Sequence, residues 1–143
     1  MTQDNHNLDR FVEAQEYSYP IALGELREGR KRSHWMWYIF PQLKHLGHSC
    51  NSQFYGISGI EEATDYLQHP VLGPRLREVS ESILNLPSTD PREVFGGIDA
   101  LKLRSSMTLF DRVSPDDIIS RVLDKYFSSR RDPRTLKILE GTA

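Results

Sequence analysis

The chain carries a single cysteine, Cys50, in 143 residues. An internal disulfide needs two, so the fold owes nothing to oxidation, and the reducing cytoplasm is the expected location. Long apolar runs are missing as well. The longest is the six residues Trp35 to Phe40, far short of the ~20 that a membrane helix needs, and the opening MTQDNHNLDR has no apolar core of the kind a signal peptide uses. Nor is there an excess of charge of one sign. Eighteen Lys and Arg stand against twenty Asp and Glu, a formal net charge of -2, which argues against a general nucleic-acid coat and leaves nucleic-acid binding as a weaker option resting on the Arg27 to Arg32 run. Sustained period-two alternation, internal repeats, heptads and low-complexity tracts are all absent, so no sheet or solenoid is required. So are the phosphate-binding loop, the dinucleotide glycine fingerprint and the His-Glu-x-x-His zinc helix, and no cofactor is expected.

What the chain does have is helix punctuation. Leu8, Phe11, Val12 and Ala14, then Ile21, Ala22, Leu23 and Leu26, suit an amphipathic first helix that Gly29 stops. Pro20 predicts a break or kink near 18–20, because proline lacks a donor and crowds the preceding turn. Ser58 with Glu61 reads as a capping box. Asp90-Pro91, Ser114-Pro115 and Asp132-Pro133 each set a capping side chain before a proline suited to the first helical position. Leu72, Leu76, Val79, Ile83 and Leu86 lay one apolar stripe along a helix over about 70–85, and Ile118 to Phe127 repeat the pattern. The segment 52–57 has at most a short extended character. A chain of this length suits one core. The expectation is an all-α, compact single domain of six or seven short helices over 8–140, with a flexible N-terminal tail at 1–7 and a C-terminal tail at 141–143.

The densest chemistry lies in KRSHWMWYIFPQ, Lys31 to Gln42. Arg27, Arg30, Lys31 and Arg32 suit an anion as well as they suit the negative end of a helix. His34 stands three residues before Trp37, close enough on a helical turn to share a face, and histidine is the side-chain type best suited to proton transfer at neutral pH. The rings of Trp35, Trp37, Tyr38 and Phe40 read mainly as core, with one indole face left for a ligand. A second group, DALKLRSSMTLF, places Lys102 beside Ser105 and Ser106. Its Lys-x-x-Ser order reverses that of the Ser-Lys hydrolases and there is no nucleophile elbow, so anion binding is the better reading than covalent catalysis. HPVLGPRLRE opens a helix with His69, which either caps it or lines a cleft. His45, His48 and Cys50 are metal-ligand residue types, but no fourth ligand stands near, and they are read as exposed loop residues.

With HWMWYIFPQ, YGI at 55–57, HPVLGPRLRE and DALKLRSSMTLF in this order, the chain resembles a bacterial family known as domain of unknown function 1810, whose members sometimes carry the label calpastatin. The resemblance covers about 8–139 and implies a mainly helical fold with no established activity. Its strings include Lys31, His34, Trp37, Gln42, His69, Lys102, Ser105 and Ser106, and leave out His45, His48 and Cys50. The expected function is therefore binding of a small anionic ligand, nucleotide-like or phosphorylated, in a cleft between 31–42 and 102–108. His34 is the candidate acid or base should hydrolysis or group transfer follow. The competing expectation is a protein-interaction module with an aromatic patch at 35–40.

Overall fold

A computed structural model describes residues 6–141. Six helices of nine residues or more carry the fold: α1 (Asp9–Glu28), α4 (Ile60–Gln68), α5 (Leu72–Leu84), α6 (Pro91–Val113), α7 (Ile118–Phe127) and α8 (Pro133–Gly141). Two short helices, α2 (Met36–Ile39) and α3 (Cys50–Phe54), lie in the connection between α1 and α4. No strand occurs among the described residues. One parallel bridge, Leu43 to Ile57, ties that connection together through Lys44 N–H to Ile57 O at 2.8 Å and Ile57 N–H to Gln42 O at 2.8 Å.

α6 is the central element, packed by α4, α7 and α8, while α5 bridges α1, α4 and α7. From Ser105 to Asp111 every residue of α6 is buried, as expected of a helix enclosed on all sides rather than on one stripe. Aromatic edges knit the layers. Phe11 of α1 meets Tyr66 of α4 at 5.1 Å, Tyr66 meets Phe110 of α6 at 5.3 Å, and Phe95 takes Phe40 at 5.8 Å and Trp35 at 6.5 Å. The end of α5 is held from α7, where Lys125 donates to Ile83 O and Leu84 O and the Tyr126 hydroxyl donates to Ile83 O. These partners satisfy carbonyls that a helix C-terminus leaves open.

Several local expectations change. α1 runs through Pro20 without a break. The proline faces solvent, where the carbonyl it leaves unpaired can be hydrated, and the opposite face is anchored by Gln15, Tyr19, Ala22 and Leu26. α4 is capped one residue later than expected. Gly59 is its N-cap, and Glu62 rather than Glu61 reaches back to Ser58 N–H at 2.8 Å, a position fixed by its ion pair with Arg10 at 2.8 Å. α7 starts from Asp117, whose carboxylate accepts from Ile118 N–H at 2.6 Å. Ser114 instead closes α6 and donates to Asp117. Part of the 52–57 segment is helical, in α3. Asp90 and Asp132 cap α6 and α8 as the sequence predicts. Of the expected tails, 1–5 and 142–143 lie outside the described residues. His6 of the first tail bonds Asp65 at 2.7 Å, and Gly141 of the second ends α8.

Candidate functional site

The site begins where α1 stops. Gly29 takes φ 89°, the left-handed cap that favours glycine, and turns the chain out of the helix. Glu25, one turn back, then gathers the loop: its carboxylate accepts from Arg32 N–H at 2.7 Å, Ser33 N–H at 2.9 Å, the Ser33 hydroxyl at 2.5 Å and the Trp35 indole N–H at 3.0 Å. Burial pushes this carboxyl up, but the donors outweigh it and hold the pKa at about 2, below the ordinary 4.5. The loop is thereby fixed from both ends, since Lys31 N–H also donates to Val94 O of α6 at 2.7 Å.

Of the four cations at 27–32, Lys31 alone turns inward. Its side chain is 8% exposed, its ammonium lies 2.9 Å from Asp99, donates to Ser33 O, and sits 4.9 Å from the Trp35 ring. Arg32 pairs with Glu28 on the surface, and Arg27 lies with Glu78 and Glu81 in a different hollow.

The other wall comes from a break in α6. Gly96 has φ 79° and ψ 171°, a conformation essentially reserved for glycine, and the helix restarts beyond it. The restart presents Asp99 and Lys102 on one face. Asp99 thus stands between two ammonium groups, Lys31 at 2.9 Å and Lys102 at 3.6 Å. Lys102 is 28% exposed and sits 5.1 Å from the centre of the Trp37 ring. Lys31, His34, Trp37, Gly96, Asp99 and Lys102 line one cavity of about 400 Å³. Of the 102–108 segment, Lys102 lines this cavity, opposite Lys31, His34 and Trp37.

A second cavity of about 450 Å³ adjoins it, with Trp37, Ile98 and Lys102 in both walls. Gln42 and Ser105 line this second chamber. Ser105 is bound within the protein, its hydroxyl near Leu101 O at 3.2 Å and Asp132 at 3.3 Å. Two other residues singled out from the sequence lie apart. His69 caps α5, its Nδ1 accepting from Val71 N–H at 3.1 Å and Leu72 N–H at 3.3 Å. Ser106 is fully buried in α6, and its hydroxyl has no partner among the described residues.

The polar groups facing the cleft contrast with the saturated loop behind it. Among the described residues, the His34 ring, the Trp37 indole N–H and the Gln42 carboxamide form no hydrogen bond within the protein. The Trp35 indole, in contrast, is tied to Glu25. The aromatic run divides the same way: Trp35, Met36, Ile39 and Phe40 are core, while Trp37 and Tyr38 are half-buried. Trp35 and Phe40 thus lack the exposure that an aromatic docking patch requires.

Sequence reasoning passed over Glu25, Asp99 and the Gly96-Gly97 pair. The glycine pair inside a helical stretch was the available signal, since paired glycines punctuate helices. His45, His48 and Cys50 are exposed on the surface, and no group of three or more His, Cys, Asp or Glu side chains among the described residues is arranged to hold a metal ion. No helix among them is long and apolar enough to cross a membrane.

No curated protein matches the chain. A solved structure does: the crystal structure of the conserved hypothetical protein Rv1873 from Mycobacterium tuberculosis is similar with a TM-score of 0.94 and 46% identity, over 96% of this chain and 99% of that one. The helical architecture is thus shared with an experimentally determined relative. The profile of the family described as protein of unknown function (DUF1810) matches residues 5–139, and the chain belongs to that family.

Proposed function

We propose that the protein binds a small anionic, phosphorylated ligand in the cleft between the 31–37 loop and the restart of α6. The observation that carries this reading is the shared Asp99. One carboxylate stands between two lysines at the wall of a cavity, and the two lysines are held very differently. Lys31 is buried and satisfied by Asp99, Ser33 O and Trp35, so it positions the carboxylate. Lys102 is more exposed and loosely held at 3.6 Å, so its ammonium is available to an incoming anion at the cost of one long ion pair. His34 on the rim and the Trp37 indole N–H supply further donors. A hydrolytic or transfer step in the same cleft would use His34 as acid or base.

Cytoplasmic location belongs to this reading, supported by an exposed, unpaired thiol at Cys50 that an oxidising compartment would put at risk.

Thermal denaturation with inorganic phosphate, pyrophosphate and sugar phosphates tests the proposal. A ligand at 100 times its Kd adds about 2.7 kcal/mol, a rise of several degrees in Tm for a chain of this size. The rise is expected in the parent and lost in Lys102→Ala. Equal responses in the two proteins, or no response to any of these anions, would remove the basis for it.

A further inference from the structure

The adjoining second chamber deepens the proposed function, and its assignment rests on the anion site at Lys102. A phosphate group alone does not account for the dimensions of this region. The first cavity, of about 400 Å³, opens beside another of about 450 Å³, and the two share the side chains of Trp37, Ile98 and Lys102. A ligand anchored at Lys102 therefore has a continuous course past an indole into a space of different character.

Three features define that space. Its junction is apolar although it faces water: Ile98 is 75% exposed and Leu101, which also lines the second chamber, is 66% exposed. Large aliphatic side chains this open offer a surface for a planar, weakly hydrated group, and a half-buried indole is a natural stacking partner for one. The second feature is Gln42. Its carboxamide lines the chamber with both a donor and an acceptor unused among the described residues, the pairing needed to read the edge of a nucleobase. The third is where each chamber keeps its charge. Lys31, Asp99 and Lys102 crowd the first cavity; the second also carries Arg104, Asp132 and Arg134, but Arg104 is tied to Arg130 O and Arg131 O and Asp132 caps α8, while its Gln42 end offers amide and hydroxyl chemistry beside Ser49 and Ser52.

We infer that the ligand is a nucleotide, with its phosphate at Lys102 and His34 in the first cavity and its base in the second, packed against Trp37 and Ile98 and read by Gln42. Stacking provides affinity without regard to the base, and the carboxamide selects among bases.

Calorimetric titration of the full chain with AMP, GMP, CMP and UMP, alongside ribose 5-phosphate and inorganic phosphate, tests this assignment. At least one nucleoside monophosphate is expected to bind about tenfold or more tighter than ribose 5-phosphate, the scale of one base stacked on an aromatic ring. Gln42→Ala, melting like the parent, is expected to erase the preference among the four bases. Trp37→Leu is expected to bring them all close to ribose 5-phosphate. If ribose 5-phosphate and phosphate bind as tightly as every nucleotide, the base chamber is refuted while the anion site survives. If the bases are distinguished equally well by Gln42→Ala, its role as reader is refuted. Should no phosphate-bearing compound bind, the anion site falls and the nucleotide assignment with it.

Discussion

The Lys31 ammonium lies 2.9 Å from the Asp99 carboxylate, and this one contact joins the loop after α1 to the restarted helix beyond Gly96. Both groups are largely withdrawn from water, so the pair behaves as a buried ion pair whose halves depend on one another. It sets the separation of the two cleft walls and, through the second oxygen of Asp99, places Lys102.

Asp99→Ala should therefore be costly for the fold and favourable for the site. Leaving the Lys31 ammonium buried without its carboxylate is expected to destabilise by about 2–4 kcal/mol, read from urea midpoints. In the protein that remains folded, Lys102 is freed from its competitor, and phosphate affinity should rise. A variant of unchanged stability would mean that the pair does not join the two walls.

Glu25 makes stability depend on pH in a definite direction. Its pKa is held at about 2 in the folded protein against an ordinary 4.5, so the folded state binds its proton more weakly. The stabilisation is complete above about pH 4.5 and is lost as the pH falls towards 2. Glu25→Gln keeps an acceptor and removes the charge, and should cost about 1–3 kcal/mol at neutral pH. Urea unfolding across the acid range should show the two proteins converging as pH drops. Parallel curves would contradict this assignment.

The break in α6 is testable with adjacent glycines. A methyl group at Gly96 or Gly97 meets nothing within 4 Å, so packing does not distinguish them. Backbone conformation does, because Gly96 alone of the two has positive φ. Gly96→Ala is expected to cost about 1–3 kcal/mol in strain and to weaken anion binding by shifting Lys102. Gly97→Ala is expected to be neutral or to stabilise by up to about 1 kcal/mol. Matched losses in the two variants would show that the break is not held by Gly96.

Much of this arrangement can be read from the residues themselves, for reasons that also explain the exceptions. Asp90, Asp132 and Gly29 act within a turn of their own position, so their roles follow from local chemistry. The α5 stripe is legible because its side chains recur at helical spacing and meet a single core. Pro20 misleads because the cost of a lost bond depends on whether water reaches the freed carbonyl, and that is settled by which face α1 turns outward. In the cleft, both lysines, His34 and Trp37 stand out as residue types. Asp99 does not, because its importance comes from lying between two lysines 71 positions apart in the chain. Glu25 is hidden for the same reason, its partners being defined by a loop that only the left-handed turn at Gly29 creates.

The chain's two tryptophans allow the central claim to be tested at a single atom. The Trp35 indole N–H is committed to Glu25 behind the cleft, whereas that of Trp37 has no acceptor among the described residues and its ring lines the cavity beside Lys102. In a nitrogen–proton correlation spectrum of the ¹⁵N-labelled protein, each indole gives its own side-chain signal. Titration with pyrophosphate at constant ionic strength should move the Trp37 signal saturably, leave that of Trp35 nearly in place, and do neither in Lys102→Ala. A Trp37 signal that stays fixed through millimolar pyrophosphate, or moves equally in Lys102→Ala, would contradict binding of an anion in this cleft.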